Sequence, residues 1–297
     1  MIPLEVAFQP DWFEVLQAPF MRNAIIGGTV VAVAAGVIGY FVIVRGSAFA
    51  AHALAHIGFP GATGAALLGL PVTVGLLAFT IAGAFAIGAL GKRSADREVA
   101  TGTVLAFATA LGVLFASLAT SGTTSVTNVL FGNLLAIAPD QLVLFAIFTG
   151  VLLFALGAIY RPLLFASVDP DVAEAKGVPV KVLGIAFMLL LALVITMAVQ
   201  VVGVLLLFAL VITPAATGLI ITARPAAVIA ISISIAVLSV WVGLAVSALV
   251  NLPPSFFIVT VSTALWAGAR IVAHNRSSPP PHRHVATEHQ FDTATSN

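Results

Sequence analysis

Cysteine is absent from the 297-residue chain, which excludes disulfides, thiolate metal sites and thiol catalysis. Charge is scarce: 12 Lys and Arg and 11 Asp and Glu make up only 8% of the residues, against about 25% in an ordinary soluble domain. A water-facing surface of normal extent cannot be built from so few charges. The net charge of +1 leaves no basic patch of the kind that phosphate backbones require, so no nucleic-acid partner is expected. A GxxxxGK[ST] phosphate loop is also missing, because Lys92 in ALGKRS lacks the glycine spacing, and the chain therefore does not bind ATP by that device.

What remains is apolar. Hydrophobic residues make up 61% of the chain, so its natural solvent is lipid hydrocarbon, and it is expected to be an all-α, polytopic transmembrane helix bundle. A window of about 20 residues gives nine candidate spans, near 21–44, 47–69, 71–90, 98–119, 139–160, 181–201, 203–222, 226–250 and 254–273. An eight-span arrangement follows if one segment is re-entrant or two form one kinked helix, and the region around Gly203 and Pro214 allows this. Three regions result: an N-terminal interfacial segment over 1–20, a transmembrane domain over 21–273 and a disordered tail over 274–297.

The first 20 residues carry Glu5, Asp11 and Glu14 in place of a basic signal-peptide start and are expected to be retained. Within them Trp12, Phe13, Leu16 and Phe20 fit a short helix at headgroup level. The tail is polar and Pro-rich. Lys and Arg set the orientation: with the N-terminus outside, Arg45, Lys92, Arg93, Arg97, Arg161, Lys176, Lys181, Arg224, Arg270, Arg276 and Arg283 all fall inside, and only Arg22 lies outside. This places the C-terminus in the cytoplasm. The segment 120–138 is neither plainly a loop nor a span, and VLFGNLLAIAP within it reads as dipping back into the protein.

Two of the six histidines fall inside a span. His52 and His56 are four residues apart, so on a helix they share one face and their imidazoles can share one metal ion. Counting from Arg45 at a rise of about 1.5 Å per residue puts them roughly 10 and 16 Å deep, near the middle of the bilayer. Ionisable side chains at that depth usually face a pathway. Two imidazole nitrogens supply half a tetrahedral shell for zinc or another first-row divalent ion, and a second copy of the helix across a two-fold axis is the most economical source of the rest. The bland alternative is a pair of packing histidines bonded to neighbouring helices.

A second feature is RPLLFASVDPDVAEAKGVPVK, long and charged for a connection between spans. Its DPDVAEAKG stretch opens on an Asp169-Pro170 helix start and closes on Gly177. The residues alone fit a short helix docking a soluble partner and a solvated loop equally well. Pro214 breaks a backbone hydrogen bond in its span, and Thr213 and Thr217 are placed to satisfy the freed carbonyls. Asn128, Asn133 and Gln200 read as helix-to-helix glue.

Four stretches together, VRGSAFAAHALAHIGFPG, LFGNLLAIAPDQ, DPDVAEAKGV and VGVLLLFALVITPAAT, resemble the permease subunits of bacterial ABC importers for zinc and manganese, the ZnuB/MntB type, over residues 20–273. In this resemblance His56 corresponds to the family's metal-coordinating histidine. His52 occupies the position four residues earlier that is commonly Asp, and imidazole in place of a carboxylate shifts the preference from manganese toward zinc. Asp169, Pro170, Asp171, Ala173, Glu174 and Gly177 correspond to the region that contacts the ATPase subunit.

The resemblance implies a homodimer in the bacterial plasma membrane that moves a divalent metal, zinc first, by alternating access. An ABC ATPase would drive it and an extracytoplasmic metal-binding protein would feed it. The chain would be no enzyme itself and hold no permanent cofactor. No confident span holds a membrane-embedded carboxylate to serve as a proton or sodium site, so uphill movement would draw its energy from that partner. The competing readings are a stand-alone secondary transporter or channel for a small cation, and a structural membrane protein.

Overall fold

The computed structural model describes residues 12–89, 94–118, 129–250 and 252–277. The expectations for residues 1–11, the polar loop 120–128, the charges at Lys92 and Arg93 and the tail from 278 lie outside them. The described residues form twelve α-helices: α1 (Trp12–Gln17), α2 (Pro19–Val44), α3 (Ala48–Leu67), α4 (Val72–Ala89), α5 (Ser94–Leu118), α6 (Pro139–Val168), α7 (Pro170–Ala175), α8 (Val180–Val202), α9 (Leu207–Val211), α10 (Thr213–Ile221), α11 (Pro225–Val250) and α12 (Pro254–Ser277). No strand occurs among them, as lipid demands of an unclosed chain.

Six helices are long and apolar enough to cross a membrane: α2, α5, α6, α8, α11 and α12. The expected count of nine is not confirmed. Each of the nine apolar runs does become helical, but apolar composition alone does not make a full span. Helix α4 offers only a short apolar stretch, Val72–Gly88. The run at 203–222 breaks into α9 and α10 around Ile212. Helix α3 is diluted by His52, His56, Pro60 and three glycines.

Helices α2 and α8 lie at the centre, while α5, α6 and α12 keep most of their surface outward. That outer surface is apolar: Phe154 on α6 is 82% exposed and Phe107 on α5 is 70% exposed. Such an arrangement is stable only where the surroundings are themselves hydrocarbon. Within the bundle, glycines let backbones touch. Along α2, a Cβ at Gly36 would meet the Ile233 backbone on α11 at 2.7 Å, and one at Gly39 would strike the Val211 carbonyl.

One crossing brings irregular backbone, not helix, into equally close contact. Gly132 (φ 74°) and Gly203 (φ 83°) both adopt the left-handed region and lie backbone to backbone. Val204 N–H donates to the Val129 carbonyl (3.0 Å), Leu205 N–H to Leu130 (3.2 Å) and Asn133 N–H to Gln200 (3.1 Å). The segment 129–136 does therefore fold back into the protein, with Leu134 fully buried. The irregular backbone after α8 is satisfied by protein, as membrane depth requires.

Gln200 also gathers side chains. Its Oε1 accepts from Thr73 Oγ1 at 2.8 Å and Gln141 Nε2 at 3.2 Å, and its Nε2 donates to the Thr196 carbonyl at 2.9 Å. The glue expected of it thus joins α4, α6 and α8. Pro214 stands in the first turn of α10 rather than kinking a continuous helix. Thr213 and Thr217 hydroxyls donate to the Phe208 and Thr213 carbonyls at 3.1 and 2.8 Å.

Candidate functional site

Helix α3 owes its orientation to small residues on one side. On a 3.6-residue period Leu54, Gly58, Gly61 and Ala65 lie roughly opposite His52 and His56. That back face is pressed onto α4, where a Cβ on Gly61 or Gly75 would collide with the other's carbonyl oxygen. Phe59 packs onto Gly112 of α5, and Thr63 Oγ1 donates to the Gly112 carbonyl at 3.2 Å. With its back so held, the helix turns the histidine face outward. From Ala50 to Thr63 every residue is buried except His52 and His56.

The imidazoles meet as the spacing requires. Their ring centroids are 4.6 Å apart, nearly edge to face. The ring of Phe208, on α9, stands against His52 at 5.4 Å and 65°. Spacing gives no sign of this neighbour, because α9 lies more than 150 residues along the chain from His52. His52 Nδ1 is buried and has no hydrogen-bond partner, which is costly for a packing histidine. The bland reading required each ring to bond to a neighbouring helix, and for this nitrogen that bond is not made. Among the described residues no third His, Asp or Glu side chain joins the pair.

The second candidate region lies apart from the histidines. Asp169 caps α7, its Oδ1 accepting from Val172 N–H at 3.0 Å, and Pro170 occupies the first turn. At the other end Gly177 (φ 84°) closes the helix: Val178 N–H reaches the Ala173 carbonyl and Gly177 N–H the Glu174 carbonyl, both at 3.0 Å, the pattern of a glycine-terminated helix. Asp169, Pro170, Asp171, Glu174 and Gly177 are exposed, and Ala173 is fully buried, seating the helix on the bundle. The sequence therefore builds a short, rigid, polar knob rather than a solvated loop.

Because a six-residue helix has little propagation to sustain it, the cap matters. Asp169→Ala is expected to cost about 1 kcal/mol locally and to speed amide hydrogen exchange at Val172 to Ala175 about fivefold, with Asp169→Asn close to wild type. Unchanged exchange in the alanine variant would show that tertiary contacts alone hold the helix.

Comparison with known proteins is consistent along nearly the whole bundle. The model of the ABC 3 transport family matches residues 17–273. "Manganese transport system membrane protein MntC" of Listeria monocytogenes is 33% identical over 252 residues, covering 84% of this chain and 90% of that protein. "Manganese import system permease protein ScaB" of Streptococcus parasanguinis is 30% identical over 275 residues, covering 92% and 96%. Among solved structures, "PsaBC from Streptococcus pneumoniae in complex with Fab" superposes with a TM-score of 0.78 at 29% identity, covering 87% of this chain and 94% of that one. The match takes in the histidine helix, the capped knob and the glycine crossing alike, and the chain belongs to the ABC 3 transport family as a polytopic permease.

Proposed function

We propose that this permease carries a first-row divalent metal ion, zinc in preference to manganese, across the membrane past the face formed by His52 and His56. The observation that carries the proposal is the single open face of α3. It bears two imidazoles in contact, one with a buried nitrogen lacking any hydrogen-bond partner. Two donors are too few to hold such an ion, and a second copy of the chain, presenting the same face across a two-fold axis, would supply the other half. A site of four neutral nitrogens selects by geometry and softness, and it carries no anionic charge to trap the ion, so release is compatible with selection.

In this reading the chain works as a homodimer. Each copy would dock an ABC ATPase on the knob of Asp169, Pro170, Asp171, Ala173, Glu174 and Gly177, and an extracytoplasmic metal-binding protein would deliver the ion from the opposite side. The N-terminus would lie outside and the C-terminus in the cytoplasm. The exposed polar helix, Lys176 and Lys181 after it and the absence of a phosphate loop in this chain support that assignment. A stand-alone carrier or channel is not favoured, since the relatives named above are membrane components of transport systems.

Metal identity separates two chemistries. The relatives' names point to manganese, whereas imidazole at position 52 points to zinc, which binds nitrogen sites more tightly than manganese does. Proteoliposomes holding the full complex, supplied with ATP and radiolabelled zinc or manganese, are expected to accumulate zinc faster. His52→Asp should move the zinc-to-manganese ratio toward manganese by about tenfold, the equivalent of ~1.4 kcal/mol. A wild-type preference for manganese that the substitution leaves unchanged would overturn the assignment of selectivity to His52.

A further inference from the structure

We propose that Arg45 is a positioning residue that transmits movement of the knob at 169–177 to the histidine helix, an inference that rests on the transport reading above. Arg45 ends α2, and only Gly46 (φ 60°) and Ser47 separate it from α3. That connection is tightly bonded: Gly46 N–H donates to the Ile43 carbonyl at 2.9 Å, Ser47 N–H to Val42 at 2.8 Å and Ala51 N–H to Ser47 at 2.9 Å. Moving Arg45 therefore moves the start of α3, and His52 follows two turns on, about 10 Å away.

Its side chain reaches the other partner. Arg45 Nη1 donates to Ser167 Oγ at 3.1 Å, two residues before the Asp169 cap of α7. The Ser167 hydroxyl proton is directed to the Leu163 carbonyl, so its oxygen is held as an acceptor for the guanidinium. The guanidinium also lies 5.1 Å from the centre of the Phe187 ring on α8, the helix that follows the knob. At Gly184 a Cβ would come 3.6 Å from Arg45 Nη2, and a small cavity of about 60 Å³ beside Arg45, Ser47 and Gly184 leaves room for the side chain to shift. A planar cation is thus held between the helix that enters the knob and the one that leaves it, while its backbone anchors the histidine helix. Lysine supplies the charge but neither the planar stack nor the fork.

The test uses proteoliposomes of the complete complex, reading metal ions taken up per ATP hydrolysed, ATPase rate and zinc retained by the detergent-solubilised complex. Arg45→Ala is expected to lower ions per ATP at least tenfold while ATPase rate and retained zinc stay within twofold of wild type. Arg45→Lys should fall in between, and Ser167→Ala and Gly184→Val should each lower the ratio severalfold without removing the arginine. Ions per ATP unchanged in Arg45→Ala and Ser167→Ala would overturn the inference. So would a parallel loss of ATPase rate, retained zinc and complex yield across Arg45→Lys, Ser167→Ala and Gly184→Val, which assigns the cluster to folding. A wild-type complex that hydrolyses ATP yet takes up neither zinc nor manganese would instead defeat the transport reading itself.

Discussion

His56→Ala is expected to reduce ATP-driven metal uptake at least a hundredfold while the protein still inserts and assembles with its ATPase. The size of the effect follows from ligand count. In a symmetric dimer the substitution removes two of four imidazoles, and changes merely to the groups that orient metal ligands already cost about 10- to 100-fold. The mildness toward folding follows from position. His56 is half-buried on the open face of α3, away from the Gly61–Gly75 contact that seats the helix, and alanine is the better helix former. The variant should therefore match wild type in membrane yield and elution as a complex, and differ only in uptake and bound zinc. Uptake at the wild-type rate would remove His56 from the ion's route.

Features built from neighbouring residues are legible in the sequence of this chain. The His52–His56 pair depends on one helical turn, the capped knob on Asp169, Pro170 and Gly177, and both are written in consecutive residues. The seating of α3 is half-legible: Gly58, Gly61 and Gly64 announce a packed helix, but their partners on α4 and α5 do not follow from them. What hydropathy does not show is where an apolar run stops being a span. Val204 to Phe208 is as apolar as any membrane helix, yet the backbone of Val204 and Leu205 pairs with residues 129–130 and the helix breaks, a difference from a continuous span that a window average does not register. The reach of Phe208 to His52 and of Arg45 to Ser167 depends on segments far apart in sequence. A single sequence carries no signal for such pairs.

The crossing of Gly132 and Gly203 yields the second large effect. Gly203→Ala adds a methyl where the Leu130 carbonyl and the Gly132 nitrogen already stand, and neither is a flexible side-chain tip that can rotate aside. At φ 83° and ψ 167° Gly203 occupies a region essentially confined to glycine, which costs another residue about 1–3 kcal/mol, and forcing tightly packed backbone apart costs about 1–3 kcal/mol more. Separation also endangers the Val204–Val129 and Leu205–Leu130 hydrogen bonds, each contributing about 1 kcal/mol. Together these predict a loss of several kcal/mol, read as a fall of about 10 °C in the melting temperature of detergent-purified protein. Gly150→Ala is the matched control, because Gly150 lies within α6 with nothing near its missing Cβ, and it should be neutral or slightly stabilising. Equal melting of the two variants would mean the crossing yields without cost. Because the crossing also holds the break after α8, and α9 with Phe208 follows that break, prying it apart with Gly203→Ala should blunt uptake even at temperatures where the protein remains folded.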